Sequence, residues 1–359
     1  MAVDVVDTVV VGGGGVGSAA AWRLAARGVE VLLLERFAPG HTNGASHGAS
    51  RIFRVAYPEA DYVQLALRAL PLWRELGSVL ELTGGITHGR TANLDPLAAA
   101  LAAAGTPGEW LSPAAASERW PGIRYEGRVF HHPLTGTLHA DNAVAALQAA
   151  AVAHGAVVRH ETPVTEIRSL SDHVEVRTAQ DTYRARRVVV AGGAWSAKLL
   201  DGVVALPPLR VTQEQPAYFA LDHPADWPAF SHHLAPEDGY PSGVYGLATP
   251  GFGIKAGFHG VGPECDPDHR DFRPEPTQLA ALRRYAREWL PGVDPDQFTP
   301  ISCTYTTTAN EDFILDRVGP VVVAAGFSGH GFKFLPALGD LLADLALTDA
   351  RAQPRFALS

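Results

Sequence analysis

The chain has 359 residues, 47% of them hydrophobic and 19% charged, with a formal net charge of −9. That length accommodates two domains with complete cores, and the acidic balance argues against nucleic acid or an anionic membrane surface as partner. Two cysteines exclude a disulfide framework. Together with a first stretch (residues 1–11) that carries Asp4 and Asp7 but no basic region, this points to a cytoplasmic protein without a membrane segment.

Asp7-Thr8-Val9-Val10-Val11 is a short β-branched run and predicts a buried strand. Gly12, Gly14 and Gly17 follow as G-x-G-x-x-G. The helical pattern from Val16, with Ala20, Leu24 and Ala25 on one face, stops at Gly28. Val31–Leu34 predicts the next strand, and Glu35 ends it. Glycines that let the backbone approach a pyrophosphate, a helix N-terminus and an acid positioned for ribose hydroxyls predict a dinucleotide site. Glu35 disfavours a 2′-phosphate, leaving FAD or NAD.

The loop Pro39–Ser50 is too rich in glycine for a helix and too polar for a core, and it suits close wrapping of a flat ligand. Arg51 and Arg54 follow. Their three-residue spacing predicts one side of a helical turn, either as a solvated basic face or as a contact to a cofactor and a carboxylate. His139–Asn142 predicts the start of a helix over 143–154, followed by a strand pair from Val157 to Ile167 and a strand Arg187–Val190 ending in Gly192 and Gly193. Gly253–His259 alternates like a strand, with Lys255, Gly257 and His259 on one face about 13 Å long, and Gly257 leaves a gap suited to a flat ring system. Near the end, Cys303 sits in Ser302–Thr308, a hydroxyl-rich run. Gly326–Lys333 then leads to Pro336 and a helix with Leu338, Leu341, Leu342 and Leu345 on one face. His330 reads as a loop histidine without a chemical role.

The glycine motif, the loop His41–Gly44 running to Arg51 and Arg54, Cys303–Thr306 and Gly326–Lys333 together resemble the monomeric sarcosine oxidase and N-methyltryptophan oxidase family, within the wider D-amino-acid-oxidase-like flavoproteins. The resemblance runs over almost the whole chain. It implies an α/β protein with a discontinuous Rossmann-like FAD-binding domain (1–79, 138–208, 300–359) and an α+β substrate domain with an antiparallel sheet (80–137, 209–299). It implies FAD tethered through Cys303, with Gly12, Gly14, Gly17, Glu35, His47, Ser50, Gly331 and Lys333 around the cofactor. It further implies Lys255 as the oxygen-activating group, and His259, Arg51 and Tyr245 beside the reaction. Arg54 and Lys333 would clamp a substrate carboxylate. No metal is implied.

The expected reaction is oxidation of a secondary amine bearing an α-carboxylate by molecular oxygen, giving an imine, which hydrolyses to amine and aldehyde, and hydrogen peroxide, in a monomer. Ala49 and Ser50 stand where the family has an acidic residue and a threonine. Ser231 stands where the sarcosine enzyme has a methionine over the pocket. These departures open the pocket to a bulkier N-methyl amino acid, a cyclic imino acid of the pipecolate type or a glycated amino acid. Two other readings are a nicotinamide-dependent reductase, which leaves Cys303 without a task, and a flavin dehydrogenase using another electron acceptor.

Overall fold

The computed structural model describes residues 3–106, 108–221 and 227–358, so residues 1 and 2 of the expected first segment lie outside the described residues. Its organising element is a sheet of eight strands. Val3–Val11 pairs in parallel with Val31–Leu34 on one side and with Thr182–Val190 on the other. Val157–Arg159 extends the sheet beyond Val31–Leu34. The long strand Thr182–Val190 divides its free edge: its first half pairs antiparallel with Val174–Thr178, and its second half pairs in parallel with Val321–Ala325.

Uninterrupted valine and leucine in these central strands has a simple consequence, because successive side chains enter opposite faces and both faces must be covered. Val10, Leu33, Val189 and Val322 enter one core, and Val9, Val11, Leu32, Leu34, Val188, Val190 and Val323 enter another. The first core is closed by the helices Gly15–Ala25, Ala60–Glu75, Ala140–Ala153 and Leu335–Leu347. The last lies so close to the first that a Cβ at Gly339 would stand 2.4 Å from the Ala19 carbonyl oxygen. The second core is covered by the antiparallel strands Val164–Ser169 and Val174–Thr178, and by Leu200 and Val204.

A second eight-stranded sheet runs antiparallel except where Ala229–His233 pairs in parallel with Gly85–Gly89. Its central strand Gly253–Phe258 alternates as its sequence predicts. Ile254, Ala256 and Phe258 enter a third core, which is capped by the helix Pro276–Trp289, while Lys255 takes the opposite face. Two small sheets tie the chain segments together: Arg51–Arg54 and Leu80–Leu82 flank Thr135–Leu138, and Arg210–Glu214 pairs with Cys303–Thr307. Among the described residues, no helix is long and apolar enough to cross a membrane.

Three local expectations change. Arg51–Arg54 is a strand and not a helical turn. Its backbone bonds Thr135–Leu138, and Phe53 is fully buried, so Arg51 and Arg54 leave opposite faces. The helix expected from residue 143 begins at Ala140, directly after His139. Val157–Arg159 and Val164–Ser169 do not pair with each other, because they join opposite edges of the first sheet.

Candidate active site

The first strand delivers the glycine loop to the carboxyl edge of the sheet, where the fold leaves its crevice. Gly12 adopts φ +100°, and a Cβ there would stand 2.4 Å from the Ala191 carbonyl oxygen. A Cβ at Gly17 would stand 1.8 Å from the Gly12 carbonyl oxygen, so the loop closes only on glycine. The N-cap residue Gly14 offers the helix Gly15–Ala25 no side-chain cap and its first turn carries no acid, so its dipole is directed at the crevice. Ser46 Oγ accepts from the Gly15 amide at 2.9 Å, and the Gln148 side chain donates to the Gly13 carbonyl at 2.9 Å. Glu35 accepts from the Gly13 amide at 2.6 Å and the Phe37 amide at 2.9 Å. Phe37 lies between His41 and Trp195, with ring centroids 4.7 and 5.4 Å away, so flat surfaces are available to a base.

From this loop a continuous cavity of about 1280 Å³ runs to Lys333. That exceeds the roughly 300–1,000 Å³ of an ordinary small-ligand site and leaves room for a dinucleotide together with a small substrate. Gly12, Gly14, Glu35, His47, Ser50 and Arg51 line it, as do Arg54, Tyr245, Lys255, His259, Cys303, Gly331 and Lys333; Gly17 stands behind the lining as a packing residue. The chemistry of the donor set fits FAD: backbone amides and a helix terminus at one end, a carboxylate beside them, and cations at the other.

Further along the cavity the basic residues Arg51, Lys255, Arg54 and Lys333 share the lining with Asp141, Glu59 and Glu311. Arg51 donates to the carbonyls of Ser50, Ala45 and His47 at 2.7–2.8 Å, pinning the loop that precedes it, and approaches Cys303 Sγ at 3.7 Å. Lys255 Nζ donates to the Ser50 carbonyl at 3.2 Å, and Ser50 Oγ lies 2.7 Å from Thr249 Oγ1. The guanidinium of Arg54 lies over the Tyr57 ring at 4.5 Å. Lys333 donates to Tyr57 Oη at 2.9 Å and to the His330 carbonyl at 2.6 Å. None of these four cations has an acid partner among the described residues.

The two lysines are only 4% and 5% exposed. Burial pushes Lys255 well below its usual range, with Arg51 adding to the effect, and burial and Arg54 do the same to Lys333. Burial lowers His47 and His259 to about 4, helped by Arg51 for the first and by Arg54 and Lys333 for the second, so both rings are neutral near pH 7. Among the described residues no cluster of His, Cys, Asp or Glu could hold a metal ion.

The gap expected above Gly257 is filled by the facing strand. Tyr245 pairs with Gly257, and a Cβ there would stand 2.9 Å from the phenol oxygen. Cys303 is buried on the strand Cys303–Thr307, whereas Cys265, in the turn beyond Gly262, does not line the cavity. Sequence reasoning missed Ser46, Gln148 and Tyr57. Ser46 and Tyr57 lie within a few residues of motif positions. Gln148 is a polar residue in an alanine-rich helix, a signal that could have marked it.

With this geometry in place, the relatives are informative. A family model described as DAO, FAD dependent oxidoreductase, matches residues 7–345. Monomeric sarcosine oxidase of Bacillus sp. (strain NS-129) is 36% identical, the match covering 95% of this chain and 93% of that protein. N-methyl-L-tryptophan oxidase of Citrobacter koseri is 30% identical over 95% of this chain and 94% of that protein. The solved structure of NikD, an unusual amino acid oxidase essential for nikkomycin biosynthesis, superposes in its open form with a TM-score of 0.87 at 31% identity, covering 99% of this chain and 98% of that one. The chain belongs to the FAD dependent oxidoreductase family.

Proposed function

We propose that this enzyme oxidises secondary amines bearing an α-carboxylate, of the sarcosine or N-methyl amino acid type. The product imine hydrolyses to amine and aldehyde, and oxygen is reduced to hydrogen peroxide. The observation that carries this reading is the set of four basic side chains lining the cavity, Arg51, Lys255, Arg54 and Lys333, none of them in an ion pair among the described residues. FAD bound there supplies the two-electron redox chemistry that side chains cannot.

Arg54 and Lys333 receive the substrate carboxylate, the guanidinium through its planar fork and the lysine through its remaining N–H. Positive charge around the docked amine lowers its pKa, so it binds neutral with its lone pair available and needs no strong base. That agrees with the neutral state of His259. Lys255 stands on a different strand from the clamp. Burial holds its ammonium form down, and an anion forming beside it reverses that balance, so the lysine takes up a proton as negative charge develops on oxygen. Cys303 Sγ lies 3.7 Å from the Arg51 guanidinium on the cavity wall, and Cys303 is the proposed covalent tether. The nucleotide-binding segments are 1–79, 138–208 and 300–359, and the remaining segments cover the substrate.

Ser231, a small residue, lines the cavity on the strand Ala229–His233, which favours N-substituents larger than methyl, including cyclic imino acids and glycated amino acids. The deciding experiment is anaerobic mixing of the purified protein with sarcosine, N-methyltryptophan, pipecolate, proline and fructosyl-glycine. Bleaching of the flavin band by one of them establishes amine oxidation and names the class, whereas no bleaching by any removes the reading. Rapid reduction followed by slow reoxidation in air would favour a dehydrogenase. Flavin that stays with the polypeptide after acid denaturation supports the tether, and complete release removes it.

A further inference from the structure

Tyr57 lies between the two arms of the clamp. Its ring packs among Tyr62, Phe334 and His330, with centroids 5.2, 5.6 and 5.9 Å away. One face carries the Arg54 guanidinium at 4.5 Å. The hydroxyl lies 2.9 Å from Lys333 Nζ and 3.4 Å from His330 Nδ1. The direction of each bond follows from chemistry. The Glu311 carbonyl can only accept, so at 3.1 Å His330 Nε2 carries the proton. Burial keeps His330 neutral, so Nδ1 is an acceptor. Tyr57 has a single proton and donates it to His330, so it accepts from Lys333.

As the ammonium, the form that a docked carboxylate favours against the effect of burial, Lys333 has three N–H donors. Tyr57 Oη takes one and the His330 carbonyl takes another, leaving a single donor fixed in direction. The Lys333 backbone is held too, because Trp73 donates its indole N–H to the Lys333 carbonyl at 2.7 Å. The ring of Tyr57 meanwhile holds Arg54, which has no acid to hold it among the described residues.

We propose that Tyr57 is the positioning residue of the carboxylate clamp, its ring carrying Arg54 and its hydroxyl orienting the Lys333 ammonium through a chain that ends on His330 and the Glu311 carbonyl. Sequence-distant cations are thereby set at one spacing by a single side chain, and His330, which the sequence left without a role, fixes the direction of the chain. The inference rests on the clamp reading above.

The test uses the flavin-loaded protein and methoxyacetate, the oxygen isostere of sarcosine, which carries the carboxylate but no amine to oxidise. Its binding is read from the change in flavin absorbance. Tyr57→Phe keeps the ring under Arg54 and removes only the hydroxyl, and it is expected to weaken methoxyacetate about 10- to 100-fold, the range for a hydrogen bond to a charged group. In a Lys333→Met background the same change is expected to alter affinity less than about twofold, because the hydroxyl acts through Lys333. A purely structural role predicts that the two losses multiply, which overturns the proposal, as does wild-type affinity in Tyr57→Phe. Arg54→Ala separates the two layers. If it binds methoxyacetate as tightly as the unaltered protein, the clamp itself is wrong; if it binds weakly while Tyr57→Phe does not, only the role of Tyr57 is wrong.

Discussion

At the nucleotide end of the cavity, the wall is backbone: amides of a helix terminus, two glycines held by steric contact and one carboxylate, nearly all from a single run of about two dozen residues. At the reaction end the wall is side chain: Arg51 and Arg54 from one strand, Lys255 from a second sheet, Cys303 from a third and Lys333 from the turn before the last helix. At Gly12 and Gly17 the first end tolerates no added atom. The second depends on basic side chains, none of which forms an ion pair among the described residues. A site assembled this way can keep its cofactor while its substrate changes, because the two requirements rest on different residues.

The comparison breaks most sharply at Gly17. Gly17→Val places a Cβ against a backbone oxygen that cannot move without opening the loop. The expected loss exceeds about 4 kcal/mol, seen as colourless or insoluble protein. Full flavin content in soluble Gly17→Val would mean that the close approach is not needed.

Arg54→Ala comes next. It leaves the nucleotide end untouched and is expected to lower kcat/KM by about 2–5 kcal/mol through a higher KM, with flavin content retained. An unchanged KM removes Arg54 from carboxylate binding. Lys255→Met is expected to slow reoxidation by oxygen about 10²- to 10³-fold while anaerobic reduction proceeds, measured by stopped-flow in the two half-reactions. Equal slowing of both would place Lys255 in substrate binding instead.

The smallest effect concerns acid stability. His47, His233 and His259 are held near 4, chiefly by burial, against an ordinary value of 6.5. The folded state binds fewer protons than the unfolded one between these values, so their contribution is complete above about pH 6.5 and is lost as pH falls towards 4. Calorimetry is expected to show the midpoint falling by on the order of a few degrees across that window. A flat profile would mean that these rings accept protons freely in the folded protein.

Much of the fold was legible because it is local or periodic. The strand, glycine loop, helix, strand and acid over residues 7–35 appear where expected. The alternation around Lys255 sorted core from cavity correctly, because a pleat leaves no choice of face. The reading failed where pairing partners decide the outcome. Arg51–Arg54 has a spacing compatible with a helix, but the strand Thr135–Leu138, some eighty residues away, takes its backbone bonds. Nothing local to Val157 or Val164 says that these strands border opposite edges of one sheet.

By itself, then, the sequence determined the nucleotide loop, its acid and the identities of the charged and sulfur-bearing residues, since these follow from glycine sterics, periodicity and motif. Only the tertiary structure decided that four basic side chains line one cavity without an ion pair among the described residues, that Tyr245 fills the space over Gly257, and that Tyr57 joins Arg54 to Lys333. The reason is physical: a hydrogen-bond direction and a charge balance are properties of groups in contact, and those groups are brought together here by three sheets whose pairing is long-range.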